Sequence, residues 1–151
     1  MARTWKLTAP VASEDEIQAA IVAALQRLLL PPAQFTALNP GGHLLSEAAK
    51  ARHHRLGLQS GWPDLLIVVW GQAFGLEVKR LGGVLSASRL VHGKRGTRTV
   101  VGQRERFEQL SAAGLAIAVV HSVDEALAAL RFWRLPLRPH VVHGLSQLST
   151  G

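Results

Sequence analysis

Ile17, Ile21, Ala24 and Leu28 recur at spacings of four and three, the stripe of a helix that buries one face. Ser13 is placed to cap it and Glu16 to close a capping box, and Pro31-Pro32 stops it. Gln34 to Leu38 reads as a strand that runs into the turn cluster Asn39-Pro40-Gly41-Gly42, and Leu44 to about Leu56 as a short helix with a basic exposed side. Two apolar runs follow, Leu65-Leu66-Ile67-Val68-Val69-Trp70 and Phe74-Gly75-Leu76, separated by Gly71 and Gln72. Short apolar runs bounded by Gly and Pro are buried strands, here a hairpin with its turn at Gly71-Gln72. Gln103 to Ala113 predicts a helix ending at Gly114 in the C′ position, and Leu115 to Val120 another buried strand. Ser122 then caps a helix from Val123 to about Trp133. From Ser86 to Gly102 the pattern shows no convincing period and predicts a mobile loop, and nothing after Arg134 predicts an element. The order implies an α/β domain, a central mixed sheet covered by helices on both faces.

At 151 residues the chain suits one domain with a real core. We divide it into an N-terminal arm (1–12), a folded domain (13–133) carrying the loop 81–102, and a C-terminal tail (134–151). Cysteine is absent, which excludes disulfides and thiolate zinc sites and suits a cytoplasmic setting. No apolar stretch approaches the roughly 20 residues a membrane helix needs, so no membrane partner is expected. The formal charge of +7 points to a polyanionic partner. Its distribution sharpens that reading: between Arg80 and Arg106 lie seven of the 17 basic residues and one of the ten acids. Arg80, Arg89, Lys94, Arg95 and Arg98 are the candidate phosphate contacts there, with Lys50, Arg52 and Arg55 in a second group just before Pro63. The alternative is a solvated basic insertion with no partner. Nothing predicts a base-reading helix or an aromatic stacking platform.

The candidate chemistry lies where the two apolar runs end. Asp64 opens the first, and Glu77-Val78-Lys79 closes the second. Side chains alternate across a strand, so Glu77 and Lys79 share a face. With the turn at Gly71-Gln72, Asp64 falls about opposite Lys79 and one diagonal step from Glu77. Two carboxylates and an amine would meet at one end of a sheet, where unpaired charge is costly to bury. Each has a structural rival: Asp64 as a turn acid after Pro63, Glu77 and Lys79 as an exposed ion pair, Glu14 as a first-turn acid favoured by the helix dipole. Glu16 has a structural role as the box partner.

Gly61-Trp62-Pro63-Asp64, Glu77-Val78-Lys79, the helix pattern Glu14-Asp15-Glu16-Ile17-Gln18, the strand ending at Asn39-Pro40-Gly41-Gly42 and Gln103 opening the next helix together resemble the PD-(D/E)xK nuclease superfamily, more narrowly the VRR-NUC family. The resemblance covers roughly residues 13 to 131. It implies a restriction-endonuclease-like core of αβββαβ order with an added helix. It further implies a DNA endonuclease dependent on Mg²⁺ or Mn²⁺, hydrolysing phosphodiester bonds with metal-activated water. Asp64 and Glu77 match the family's metal ligands, with the Val78 backbone carbonyl a third and Glu14 completing the set. Lys79 would orient the nucleophilic water and stabilise the phosphate, and Gln18 and Gln103 would support the ligands or touch phosphate. Small members look like homodimeric junction-resolving enzymes, so a branched DNA substrate, a homodimer and no organic cofactor are expected. In compact members the glutamine closely follows the lysine after a Gly and a Ser. Here Leu81 to Gly102 intervenes, and Ser86 and Ser88 are the candidates for that serine. The competing readings are a nuclease acting on linear ends or flaps, a non-catalytic nucleic-acid-binding module on the same fold, and an RNA-binding accessory protein.

Overall fold

The structure, a computed structural model, describes residues 10–38, 40–94 and 96–139. Helix α1 (Glu14–Leu28) begins with the expected capping box: the Ser13 hydroxyl accepts from the Glu16 N–H at 3.2 Å, and the Glu16 carboxylate accepts from the Ser13 N–H at 2.7 Å. Strand β1 (Gln34–Ala37) follows. The predicted helix over 44–56 divides into a 3-10 turn (Gly42–Leu44) and α2 (Glu47–Arg55), because Ser46 caps a fresh start by accepting from the Ala49 N–H. Strands β2 (Leu65–Val69) and β3 (Gln72–Val78) form the predicted hairpin. Strands β4 (Arg89–Gly93) and β5 (Gly96–Val100), helix α3 (Gln103–Ala112), strand β6 (Ala116–Val120) and helix α4 (Val123–Phe132) complete the order. Gly114, at φ 94°, terminates α3 as expected, and Ser122 caps α4.

The main sheet is mixed, in the order β1-β2-β3-β6, with β3 and β6 parallel and the other pairs antiparallel. Leu65, Ile67 and Val69 of β2 alternate inward with Phe74, Leu76 and Val78 of β3 onto one face, against Ile21 and Leu25 of α1 and Leu130 of α4. Each such aliphatic side chain contributes roughly 1.5–3 kcal/mol by leaving water. Helix α3 lies on the other face, where Phe107 and Leu110 are buried and Gln103 reaches Glu77. Helices therefore flank the sheet on both sides, in line with the α/β reading. No helix among the described residues is long and apolar enough to cross a membrane.

Three expectations are corrected. The β2–β3 turn is Trp70-Gly71, not Gly71-Gln72: Val69 pairs with Gln72, and both central residues have positive φ, 51° and 75°. A two-residue hairpin turn of this twist demands left-handed backbone at both positions and prefers glycine at the second, so Gly71 is drawn there. Residues 81–102 are not one irregular loop, since β4 and β5 form an antiparallel hairpin within them. The start of the tail is not featureless either. Leu135 is buried, Leu137 bridges Leu29, and residues 136 and 138 exchange backbone hydrogen bonds with Leu30 and Leu28. Of the earlier expectations, Asn39, Arg95, most of the N-terminal arm (1–9) and the rest of the tail (140–151) lie outside the described residues.

Candidate active site

Shifting the turn by one residue changes which side chains face each other. Leu65 pairs with Leu76, so continuing the ladder one step sets Asp64 across from Glu77, not Lys79. Directly opposed residues share a face, and both point away from the Leu65–Leu76 core, toward α3. The Asp64 carboxylate accepts from the Val78 N–H at 2.7 Å, which ties the mouth of the hairpin together. Val78 had been expected to contribute its carbonyl; its amide is the group that organises Asp64. Gly75 makes room for this arrangement, since a Cβ there would stand 2.7 Å from Pro63 Cγ, the residue that leads into Asp64.

Glu77 is wholly buried, yet it is charged by type. One of its oxygens, Oε1, takes the Lys79 ammonium at 2.7 Å and a hydrogen bond from the Gln103 amide. The other, Oε2, is buried without a hydrogen-bond partner among the described residues. Burial first, and then the neighbouring Asp64 charge, push the Glu77 carboxyl up to about 7, against the pull of Lys79 and Gln103. Burial likewise raises Asp64, although the Val78 N–H and the Lys79 charge act the other way. For Lys79, burial opposes the charge, but the bond to Glu77 and the charges of Glu77, Glu14 and Asp64 outweigh it and hold the amine above its usual range.

Glu14, at the start of α1, stands 3.9 Å from the Lys79 ammonium, and its other oxygen accepts from the Arg80 N–H at 3.4 Å. Glu16, bound to Ser13, does not compete for this place. Glu14 and Glu77 thus approach Lys79 from two sides, and the expected convergence of Glu14, Asp64 and Glu77 on one point is not formed. Among the described residues no three Asp, Glu or His side chains make a ready-made metal cage. The donors that could hold a cation are Asp64 and Glu77: oxygen ligands on one face, one of them with a buried oxygen lacking any partner, a set that fits a hard divalent ion.

Gln103 is held as firmly as the acids. The Ser86 N–H donates to its side-chain oxygen at 3.2 Å, and its own N–H donates to the Ser86 hydroxyl at 3.1 Å. The Ser88 hydroxyl accepts from the Gly102 N–H at 2.9 Å. The β4–β5 hairpin is therefore an excursion whose two ends meet, and Gln103 follows Ser86 in space despite the residues between. Gln18 is half-buried one turn along α1 from Glu14 and takes no part in the hydrogen bonds tying these groups together. A cleft of about 500 Å³ opens beside Asp64, lined by Ser60, Gly61, Trp62, Pro63 and Gln103 among others. Trp62, 40% exposed, is an aromatic surface that sequence reasoning passed over; its place directly before Pro63-Asp64 was the available signal.

The basic residues divide between one shared groove and separate exposed positions. Lys50 pairs with Glu47 at 2.8 Å, and Arg80, Arg89, Lys94 and Arg98 are exposed, as are Arg52 and Arg55 on another face of α2. Arg106, counted in the basic run but given no role, donates to the Ser60 carbonyl at 3.1 Å and joins α3 to the loop before Asp64. Comparison of the chain with protein-family models, with curated proteins and with solved structures finds no match.

Proposed function

We propose that this chain is a metal-dependent DNA endonuclease of VRR-NUC type on a restriction-endonuclease-like core, hydrolysing phosphodiester bonds as a homodimer on structured DNA. The observation that carries the reading is Glu77: a fully buried carboxylate with one oxygen unpartnered, set across from Asp64 and against Lys79 at the end of a sheet. Burying such a group is costly to the fold, since its ion pair with Lys79 still leaves one oxygen without a hydrogen bond. A bound Mg²⁺ or Mn²⁺ would supply an acidified water and charge neutralisation at the phosphate.

The chain's own groups support that chemistry in distinct ways. Lys79 presents an ammonium that can attract the phosphate and orient the attacking water, held in place by Glu77 and Glu14. Gln103, locked by Ser86, fixes the rotamer of Glu77, and the Val78 N–H fixes Asp64. In the reaction a water oxygen bonds to phosphorus and the bond to the 3′-oxygen breaks. The 3′-oxygen takes a proton, leaving a 5′-phosphate and a 3′-hydroxyl.

The test is a cleavage assay on labelled duplex, flap, splayed and four-way-junction DNA with Mg²⁺ or Mn²⁺. Cleavage is expected with metal, and its loss in EDTA and in Glu77→Ala and Lys79→Ala. Cleavage that survives in EDTA or in Glu77→Ala contradicts the mechanism. No cleavage of any substrate, with DNA binding intact, selects the non-catalytic binding module instead.

A further inference from the structure

The β4–β5 pairing sets Arg89 across from Val100 and Val91 across from Arg98, so both arginines occupy one face of the inserted hairpin. Leu90, His92, Thr97 and Thr99 form the other face. The arginine face looks across a groove of about 560 Å³ to α2, and Lys50 and His54 line the opposite wall. Arg106 closes the groove from α3, and Ser60 lies along it, its hydroxyl donating to the Val101 carbonyl at 3.3 Å. The acid lining it, Glu47, is already bonded to Lys50. Cations therefore come from three separate elements and converge on a single volume.

The groove does not end blindly. Ser60 and Arg89 also line an adjoining recess of about 490 Å³ that reaches Gln103. Ser60, Gly61 and Gln103 line the cleft at Asp64 in turn. Three hollows that share walls thus follow one another from Arg98 to Gln103, marking out a path toward Glu77.

We propose that this path holds one unpaired DNA strand and leads it to Asp64 and Glu77, so that substrates with a single-stranded arm are preferred over intact duplex. The assignment rests on the nuclease reading for what happens at the end of the path, but its grip on the strand does not. The polyanion is argued from the excess of positive charge in the lining, Lys50, Arg89, Arg98 and Arg106 against Glu47 alone, because a run of phosphates is the ligand that neutralises several converging cations. Size argues for one strand. A space in the range of small-molecule pockets, about 300–1,000 Å³, takes a short stretch of a single chain. It cannot enclose a double helix, whose major groove alone is about 12 Å wide. Trp62 at the cleft offers a face on which an unpaired base can stack, and such a contact contributes roughly 1–3 kcal/mol.

The test is fluorescence anisotropy in EDTA with labelled oligo-dT, a blunt duplex and a splayed duplex, across a salt series. Oligo-dT and splayed DNA are expected to bind more tightly than blunt duplex. Arg89→Ala/Arg98→Ala should lower the salt slope for oligo-dT by about 1.4, two contacts at roughly 0.7 each. Arg27→Ala/Arg131→Ala, at exposed positions of α1 and α4, should leave the slope unchanged. An unaltered slope in the hairpin variant overturns the path, and equal or tighter binding of blunt duplex overturns the single-strand assignment. Because no cleavage is read, absence of nuclease activity in the cleavage assay leaves this result standing or falling by itself.

Discussion

Glu77 should impose a pH dependence on stability that its replacement removes. Its carboxyl titrates at about 7 in the folded chain against an ordinary 4.5, because burial and the Asp64 charge disfavour the anion. Between those two values the folded state keeps a proton that the unfolded state has released, so stability falls as pH rises. The contribution is fully present below 4.5 and gone once pH has passed about 7. At roughly 1.4 kcal/mol per unit, the loss across that window is about 3 kcal/mol. For a domain of this size that corresponds to about 6–12 °C in melting temperature. Asp64, also raised, adds in the same direction. Lys79, raised as a base, loses its contribution only at alkaline pH and does not interfere. Thermal unfolding in EDTA from pH 5 to 8 should show the native chain losing stability relative to Glu77→Gln by about this amount, whatever constant offset the substitution introduces. With Mg²⁺ present the native curve should flatten, since a cation favours the anion and its binding releases the proton. Parallel curves for the two proteins in EDTA would refute the reasoning.

Gly75→Ala should destabilise by roughly 1–3 kcal/mol in urea unfolding, because the new methyl meets Pro63 Cγ at 2.7 Å and must push the Pro63-Asp64 segment outward. Ser86→Ala should keep the fold by circular dichroism while lowering cleavage about 10- to 100-fold, since it removes the hydroxyl that accepts from the Gln103 N–H and loosens the support of Glu77. Trp70→Asn should raise stability by about 1 kcal/mol in thermal unfolding, because Trp70 holds φ at 51° while 64% exposed and asparagine tolerates that conformation far better.

Where one residue's surroundings are local, the chain states its structure openly. Ser13 and Glu16 announce the start of α1, Gly114 the end of α3 and Ser122 the start of α4, because each motif is completed within a turn of helix. The β2–β3 hairpin was equally legible, but its register was not, since Gly71 fits either of two adjacent turns and only the requirement for two left-handed residues decides between them. That single step exchanged the partner of Asp64 from Lys79 to Glu77. Strands β4 and β5 escaped notice because both their faces are largely exposed, so no apolar alternation marks them. The Ser86–Gln103 contact joins positions far apart in the chain and became visible only once that hairpin was seen to close on itself. Leu135 and Leu137 carried a strand-like alternation that the neighbouring prolines obscured.

The meeting of Ser88 with Gly102 means that the segment between them begins and ends at almost the same point of the molecule. A module anchored so narrowly can be shortened, exchanged or lost without displacing Gln103, whose grip on Glu77 depends on Ser86 outside it. Selection of nucleic acid and breakage of the bond would then be free to evolve at different rates on one small scaffold.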